Sequence, residues 1–194
     1  MGVKLFKEND TPYGKSLQEW SNRWWSWMVG QPEGTNPTRD SSGQNANNCQ
    51  FYDDVYFLCG TTETEKVHRK CTIPEGKSIL VPVICYEHSL LEDDKIVNPN
   101  ELLKLSSDDL KGYDYYAEIN DEDYSNEIIR IKSPLFRLTL PKNNVWHTRE
   151  GYTVAAADGY WIFVNDPQSG TYKVKASSKE HPLNIDTTYE VTIS

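Results

Sequence analysis

SLQEWSNRWWSWMVG, residues 16–30, holds four of the six tryptophans of the 194-residue chain, and its reading decides the fold. Ser16 followed three residues later by Glu19 is a capping box, in which each side chain satisfies a backbone N–H that a helix start leaves unpaired. Leu17, Trp20, Trp24 and Trp27 then fall at i, i+3, i+7 and i+10, one apolar stripe at helical period. Trp25 widens the stripe toward Met28, and Gly30 supplies the stop. A buried indole covers about 150 to 250 Å², so the stripe must lie against a sheet, a partner or a ligand. The spacing predicts a helix over 15–30 whose indoles cap the open end of a β-sandwich.

Outside that stretch the chain reads as strands. Residues 3–14 form an irregular arm, and QPEGTNPTRDSSGQNANN after Gly30 is a long polar loop too poor in apolar residues to pack. Strands are expected over Phe51–Cys59, Val67–Ile73, Ile79–Cys85, Tyr113–Ile119, Glu127–Lys132, Leu135–Leu140, Tyr152–Ala156, Tyr160–Val164, Thr171–Ala176 and Thr187–Ile193. The run from Ile79 is nearly all apolar and suits a central strand, with a bulge where Pro82 removes a ladder donor. One or two short helices are expected near 99–111, the first opening at Asn98-Pro99. Some ten strands and few helices give a mainly β, single-domain sandwich over 1–194, jelly-roll-like, with the tryptophan helix packed on it.

Composition narrows the functions. With 29 acidic against 20 basic residues and a net charge of −9, the chain lacks the basic footprint of a nucleic-acid binder. No apolar run reaches the roughly 20 residues of a membrane span, and MGVKLFKEND lacks the core of a signal peptide. Met1-Gly2 is read as a start that replaces a removed signal. The four cysteines, Cys49, Cys59, Cys71 and Cys85, form no CxxC, so disulfides are expected rather than zinc. Cys49 with Cys71 is the favoured bridge, both lying at polar strand ends; Cys59 and Cys85 sit in apolar strands as a second bridge or as two buried thiols. His68, His88, His147 and His181 show no metal-ligand spacing, and Glu92-Asp93-Asp94 and Asn120 to Asp123 lack the spacing of a calcium loop. No metal and no cofactor is expected.

Several blocks in order carry a resemblance. The tryptophan helix, VYFLCGT, RKCTIPEGKSILVPVICYE, AEIND, SPLFRLTLP with NNVW, AADGYWIFV, SGTYKVKA and TTYEVTI together resemble a widespread family of exported bacterial and archaeal proteins whose activity is uncharacterised. The family's marks are a Trp-rich N-terminal helix, a C-x-[IV]-P-x-G-K strand block and a C-terminal ADGYW block. The resemblance implies export and one shared domain, not a reaction. Its relatives carry a Pro-Leu-x-Pro-Gly turn followed by a His before the penultimate strand. Here the turn is NDPQSGTYK, so no role of that His transfers.

The candidate site residues are Trp24, Trp25, Glu87 and Asp158. Ile79, Val81, Val83 and Cys85 share one strand face, and Glu87 continues it inward at the strand's exit. An inward carboxylate needs a partner, with Arg39, Arg69 or Lys77 as candidates, or it contacts a ligand at a pocket mouth. Trp24 and Trp25 are core, or an aromatic face for a ligand. Asp158-Gly159 reads as a turn whose Asp bonds local backbone N–H groups. A secreted or cell-surface, non-catalytic binding module for a glycan or other small ligand leads. The alternatives are a structural or assembly protein of the cell surface and a carboxylate-dependent hydrolase using acids such as Glu87 and Asp158.

Overall fold

A computed structural model describes residues 2–51, 54–62, 66–92, 98–180 and 183–194. The tryptophan stretch forms helix α1 (Leu17–Val29), with both halves of the Ser16/Glu19 capping box made. Ten strands follow: β1 (Val55–Phe57), β2 (Val67–Ile73), β3 (Ser78–Ser89), β4 (Asp114–Ile119), β5 (Glu122–Asp123), β6 (Ile129–Lys132), β7 (Phe136–Leu140), β8 (Gly151–Val164), β9 (Gly170–Glu180) and β10 (Leu183–Ile193). A second helix, α2 (Asn100–Asp108), lies between β3 and β4 and packs on β8, where the Ser106 hydroxyl donates to the Ala156 carbonyl at 2.8 Å. None of the described helices is long and apolar enough to cross a membrane.

The first sheet runs β1-β3-β8-β6, with β7 also paired to β8; the second runs β2-β10-β9-β4-β5. Two pairs are parallel, β1 with β3 and β2 with β10, and the rest are antiparallel. Alternation along the strands makes two cores. Ile79, Val81, Val83 and Ile162 of the first sheet meet Val174, Tyr189, Val191 and Ile193 of the second. Leu80, Ile131, Leu138, Trp161 and Phe163 point the other way and meet the indoles of α1. The helix therefore covers the outer face of the first sheet and does not cap the sandwich's end. The sheet is buried on both faces, which explains the near-continuous apolar run of β3.

Three helix indoles also hold loops. Trp20 Nε1 donates to the Pro12 carbonyl at 2.9 Å, Trp24 Nε1 to Leu58 at 2.7 Å and Trp27 Nε1 to Asn48 at 2.8 Å. Their rings meet Phe57, Trp161 and Phe163 edge-on or tilted, with the Trp24 and Trp161 centroids 5.1 Å apart. The arm, the segment after β1 and the long polar loop are thus pinned to one helix.

Several expectations change. β8 is one continuous strand, so Asp158-Gly159 is not a turn: Asp158 pairs with Tyr86 and Lys132, and Gly159 with Cys85 and Ile131. Gly159 is there for close approach, since a Cβ would stand 2.5 Å from Cys85 Cβ and 2.8 Å from Trp161 Nε1. The loop after Gly30 does pack, through polar groups: buried Asn36 donates to the carbonyls of Met28 and Gln31, at 2.7 and 3.2 Å. Buried Asp40 accepts from the N–H groups of Ser42 and Asn45. The Cys49–Cys71 and Cys59–Cys85 bridges are not formed, and all four cysteines are free thiols. Cys49 is exposed at a positive-φ turn, whereas Cys71 packs against the core between the sheets. Cys59 packs in the core under α1, where Arg69 Nη1 lies 3.6 Å from its sulfur.

Two measurements test this packing. Trp24→Ala removes a buried indole and an anchored carbonyl, and should cost about 3–5 kcal/mol, read from the denaturant midpoint at unchanged slope. Thiol labelling of the native protein should modify Cys49 quickly and Cys59, whose thiol burial holds up at about 11, only on unfolding. Non-reducing mass spectrometry that finds Cys49 joined to Cys71 would contradict the fold described.

Candidate functional site

The bulge expected near Pro82 is present. The β3–β8 register slips between Pro82 and Ile84, leaving Val83 as the extra residue. Its consequence is large, because one unpaired residue inverts the faces of everything beyond it. Val83 still faces the second sheet, but Cys85 packs against the core under α1. Glu87, two residues on, is carried to the same helix side and pairs with Ala157 of that core. Arg39 and Arg69, two of its expected partners, are engaged elsewhere. Arg39 reaches Glu33 and the Val145 carbonyl, and Arg69 bonds the carbonyls of Thr38, Asp40, Cys59 and Gly60.

Where the bulge meets α1 there is a cavity of about 70 Å³, walled by Trp24, Trp25, Met28, Thr61, Cys85 and Trp146. A water needs about 10–15 Å³ on this measure, so the space holds several waters or a small ligand group. Its walls are mostly apolar, yet unpaired polar atoms gather at it. Trp25 is 3% exposed, and unlike its three helix neighbours its indole N–H has no hydrogen-bond partner among the described residues. The Trp146 N–H has none either. Each such group left dry costs about 1–3 kcal/mol.

Glu87 stands beside Trp146. It is 6% exposed, and no hydrogen bond of good geometry reaches either carboxyl oxygen among the described residues. Its polar neighbours are the Glu92 carboxyl and the Trp146 indole. Burial first, and then the Glu92 charge, push its pKa well above the ordinary carboxylate value; the Trp146 N–H opposes this weakly. Burial also raises Glu92, against the hydrogen bond that Ser89 Oγ donates at 2.7 Å. Two buried carboxyls this close do not both ionise, so Glu87 is held as the neutral acid, an O–H donor. Among the described residues that wall the cavity, the unpaired polar atoms are two donors, Trp25 N–H and Trp146 N–H, while the Glu87 carboxyl faces Glu92. Two such donors call for a hydrogen-bond acceptor.

The structure thus brings Trp24 and Trp25 to the cavity wall, Trp24 with its N–H already spent on Leu58, while Glu87 stands beside Trp146 and is not itself a lining residue. Asp158 is elsewhere. It is 2% exposed and accepts two hydrogen bonds from Arg130, at 3.0 and 2.8 Å, and one from the Ser107 hydroxyl at 2.7 Å. That is a structural ion pair tying β6 and α2 to β8, and it leaves Asp158 no part in a site with Glu87. Sequence reasoning missed Trp146 and Glu92. The NNVW block had signalled the first, since buried Asn144 holds its loop by accepting from Trp146 N–H of the backbone at 3.1 Å and donating to the Thr148 carbonyl at 2.9 Å. Among the described residues no group of three or more His, Cys, Asp or Glu could hold a metal ion. His68, His88 and His147 each lie beside one carboxylate, those of Glu190, Asp109 and Glu33; His181, Asp93 and Asp94 lie outside the described residues.

No family model and no curated protein matches the chain. Among solved structures it is similar to amebosin, at 11% identity over 74% of this chain and 100% of that one, with a TM-score of 0.29. It is also similar to the cysteine protease inhibitor EhICP2 from Entamoeba histolytica, at 15% identity over 73% and 96%, TM-score 0.30. A third is PbICP-C, solved in complex with falcipain-2, at 8% identity over 73% and 99%, TM-score 0.30.

The Glu87 carboxyl has a stability signature. Its folded pKa exceeds its unfolded value, so above about pH 4.5 the folded chain binds more protons than the unfolded one. The stability contributed is complete below that pH and is lost as pH rises through the folded value. Urea unfolding from pH 4 to 8 should therefore show wild type weakening with pH, and Glu87→Gln, permanently neutral, should weaken less. Parallel pH profiles of the two proteins would place Glu87 in water.

Proposed function

We propose that the chain is a non-catalytic binding module that takes a small, acceptor-bearing ligand in the cavity between α1 and β3, a terminal sugar of an extracellular glycan being the ligand class that best fits. One observation carries this reading: Trp25 belongs to a helix whose other three indoles each donate to a carbonyl, yet it walls the cavity and its own N–H has no partner among the described residues. Sugar oxygens accept from N–H and O–H donors, and sugar C–H faces pack on indole rings. Asp158 and Glu87 belong to different environments, which removes the carboxylate pair that the hydrolase reading used. A place outside the cell rests on the family resemblance alone, since free thiols withdraw the disulfide argument.

Trp25→Phe keeps the ring and deletes the donor. Titration of a panel of mono- and disaccharides, followed by tryptophan emission and calorimetry, should find a ligand for wild type. The variant should bind it roughly threefold to tenfold more weakly, the worth of one hydrogen bond, at a temperature where circular dichroism shows both proteins fully folded, since the smaller ring also lowers the melting temperature. Equal affinity of the two proteins, or a panel without a single binder, would sink the proposal.

A further inference from the structure

A second surface stands out by its charge. On an acidic chain, three cations of the outer face of the second sheet are matched, Lys66 to Asp186, Lys70 to Glu190 and Lys173 to Glu118 and Asp121, and Lys175 lies over the Tyr116 ring. The β7–β8 hairpin differs. Arg137 and Arg149 are exposed and make no ion pair among the described residues. They border a groove of about 450 Å³ with Leu90, Leu91, Tyr152 and Val154, and among the described residues no acidic side chain lines it. Tyr152 is 87% exposed, the barest of the large apolar side chains described.

Register explains why these groups stand together. Arg137 pairs with Val154 and Thr139 with Tyr152, so Arg137 and Tyr152 share the hairpin face turned away from Leu138 and Leu140, which are buried under α1. Leu90 and Leu91 follow directly after β3 and close the other side, Leu90 N–H bonding the Val154 carbonyl at 3.1 Å. That bond occupies the Val154 carbonyl, so at this point the lining offers side chains. A sugar is held by side chains alone, whereas an extended peptide draws much of its hold from backbone.

We propose that this groove binds an acidic glycan through a carboxylated pyranose, a uronate. The C–H face of the ring packs on Tyr152 over the leucine floor, and the planar carboxylate meets the guanidinium forks of Arg137 and Arg149, whose geometry fits it in a bidentate manner. The site is separate from the α1–β3 cavity and holds or fails independently of it.

Calorimetry of the full chain with oligogalacturonate, a neutral oligosaccharide of equal length and polyglutamate separates the sources of affinity. Oligogalacturonate should bind, more weakly as salt rises, and the other two should bind at least about tenfold more weakly. Arg137→Gln with Arg149→Gln should reduce uronate affinity at least about tenfold, and Tyr152→Ala should reduce it too. All three positions are exposed, so melting temperatures should not move. No binding of oligogalacturonate overturns the proposal. So does unchanged binding by the double variant, or polyglutamate binding equal to uronate with Tyr152→Ala without effect, which would mean charge alone.

Discussion

The structure depends on indoles that are buried and still hydrogen-bonded. An indole ring in a core contributes a large apolar area, but its N–H must find an acceptor or cost free energy. Trp20, Trp24 and Trp27 resolve this by reaching through the edge of the helix–sheet core to carbonyls of a short 3-10 turn at Pro12 and of the connections at Leu58 and Asn48. Each ring stabilises the first sheet, and each N–H fixes a loop. A single thirteen-residue helix thereby orders the arm before it, the polar loop after it and the end of β1. Replacing any of these rings by an aliphatic side chain would keep part of the burial and release a loop.

Arg69 performs the complementary task from the second sheet. It is buried, and its guanidinium is surrounded by carbonyls of Thr38, Asp40, Cys59 and Gly60 and by the Tyr189 hydroxyl, which it meets at 3.0 Å. A buried cation without a carboxylate is tolerable only when its donors are this fully used. The same loop carbonyls that the apolar cores cannot satisfy are what Arg69 needs. The polar loop after α1 is therefore clamped between an indole layer on one side and a guanidinium on the other, which is how a stretch so poor in apolar residues becomes buried.

Much of this was legible in the chain and some was not, for physical reasons. α1 could be read to its caps because period, capping box and stop all agree. Most strands could be placed within a few residues because alternation and turn residues are local signals; the two-residue β5 fell in a stretch read as a connection, and β8 was read as two strands. The loop after Gly30 was misread because its burial rests on side-chain hydrogen bonds to partners distant in sequence, Asn36 and Asp40 among them, and composition does not carry such pairings. Asp158-Gly159 resembles a turn in any window of sequence; only the closeness of Cys85 and Trp161 shows that the glycine makes room inside a long strand. Trp146 reaches the cavity and Glu92 reaches Glu87 from loops, and nothing periodic marks them.

Glu87 shows how a correct local reading can still misplace a residue. The alternation Ile79, Val81, Val83 was sound, and so was the bulge at Pro82, but the bulge reverses parity, and Cys85 and Glu87 change cores together. That reversal also explains where the cavity lies. Upstream, the odd-numbered residues of β3 point between the sheets; downstream, from Cys85, they point under the helix. At Val83 neither core receives the full sequence of alternating side chains, and the helix side is left underfilled beside Trp25. Filling it with one larger apolar residue would be simple for a protein that needed only stability. Instead it is walled by Trp25 and Trp146, whose indole N–H groups have no partner among the described residues, donors that are costly to bury dry and that a ligand's oxygen atoms would satisfy.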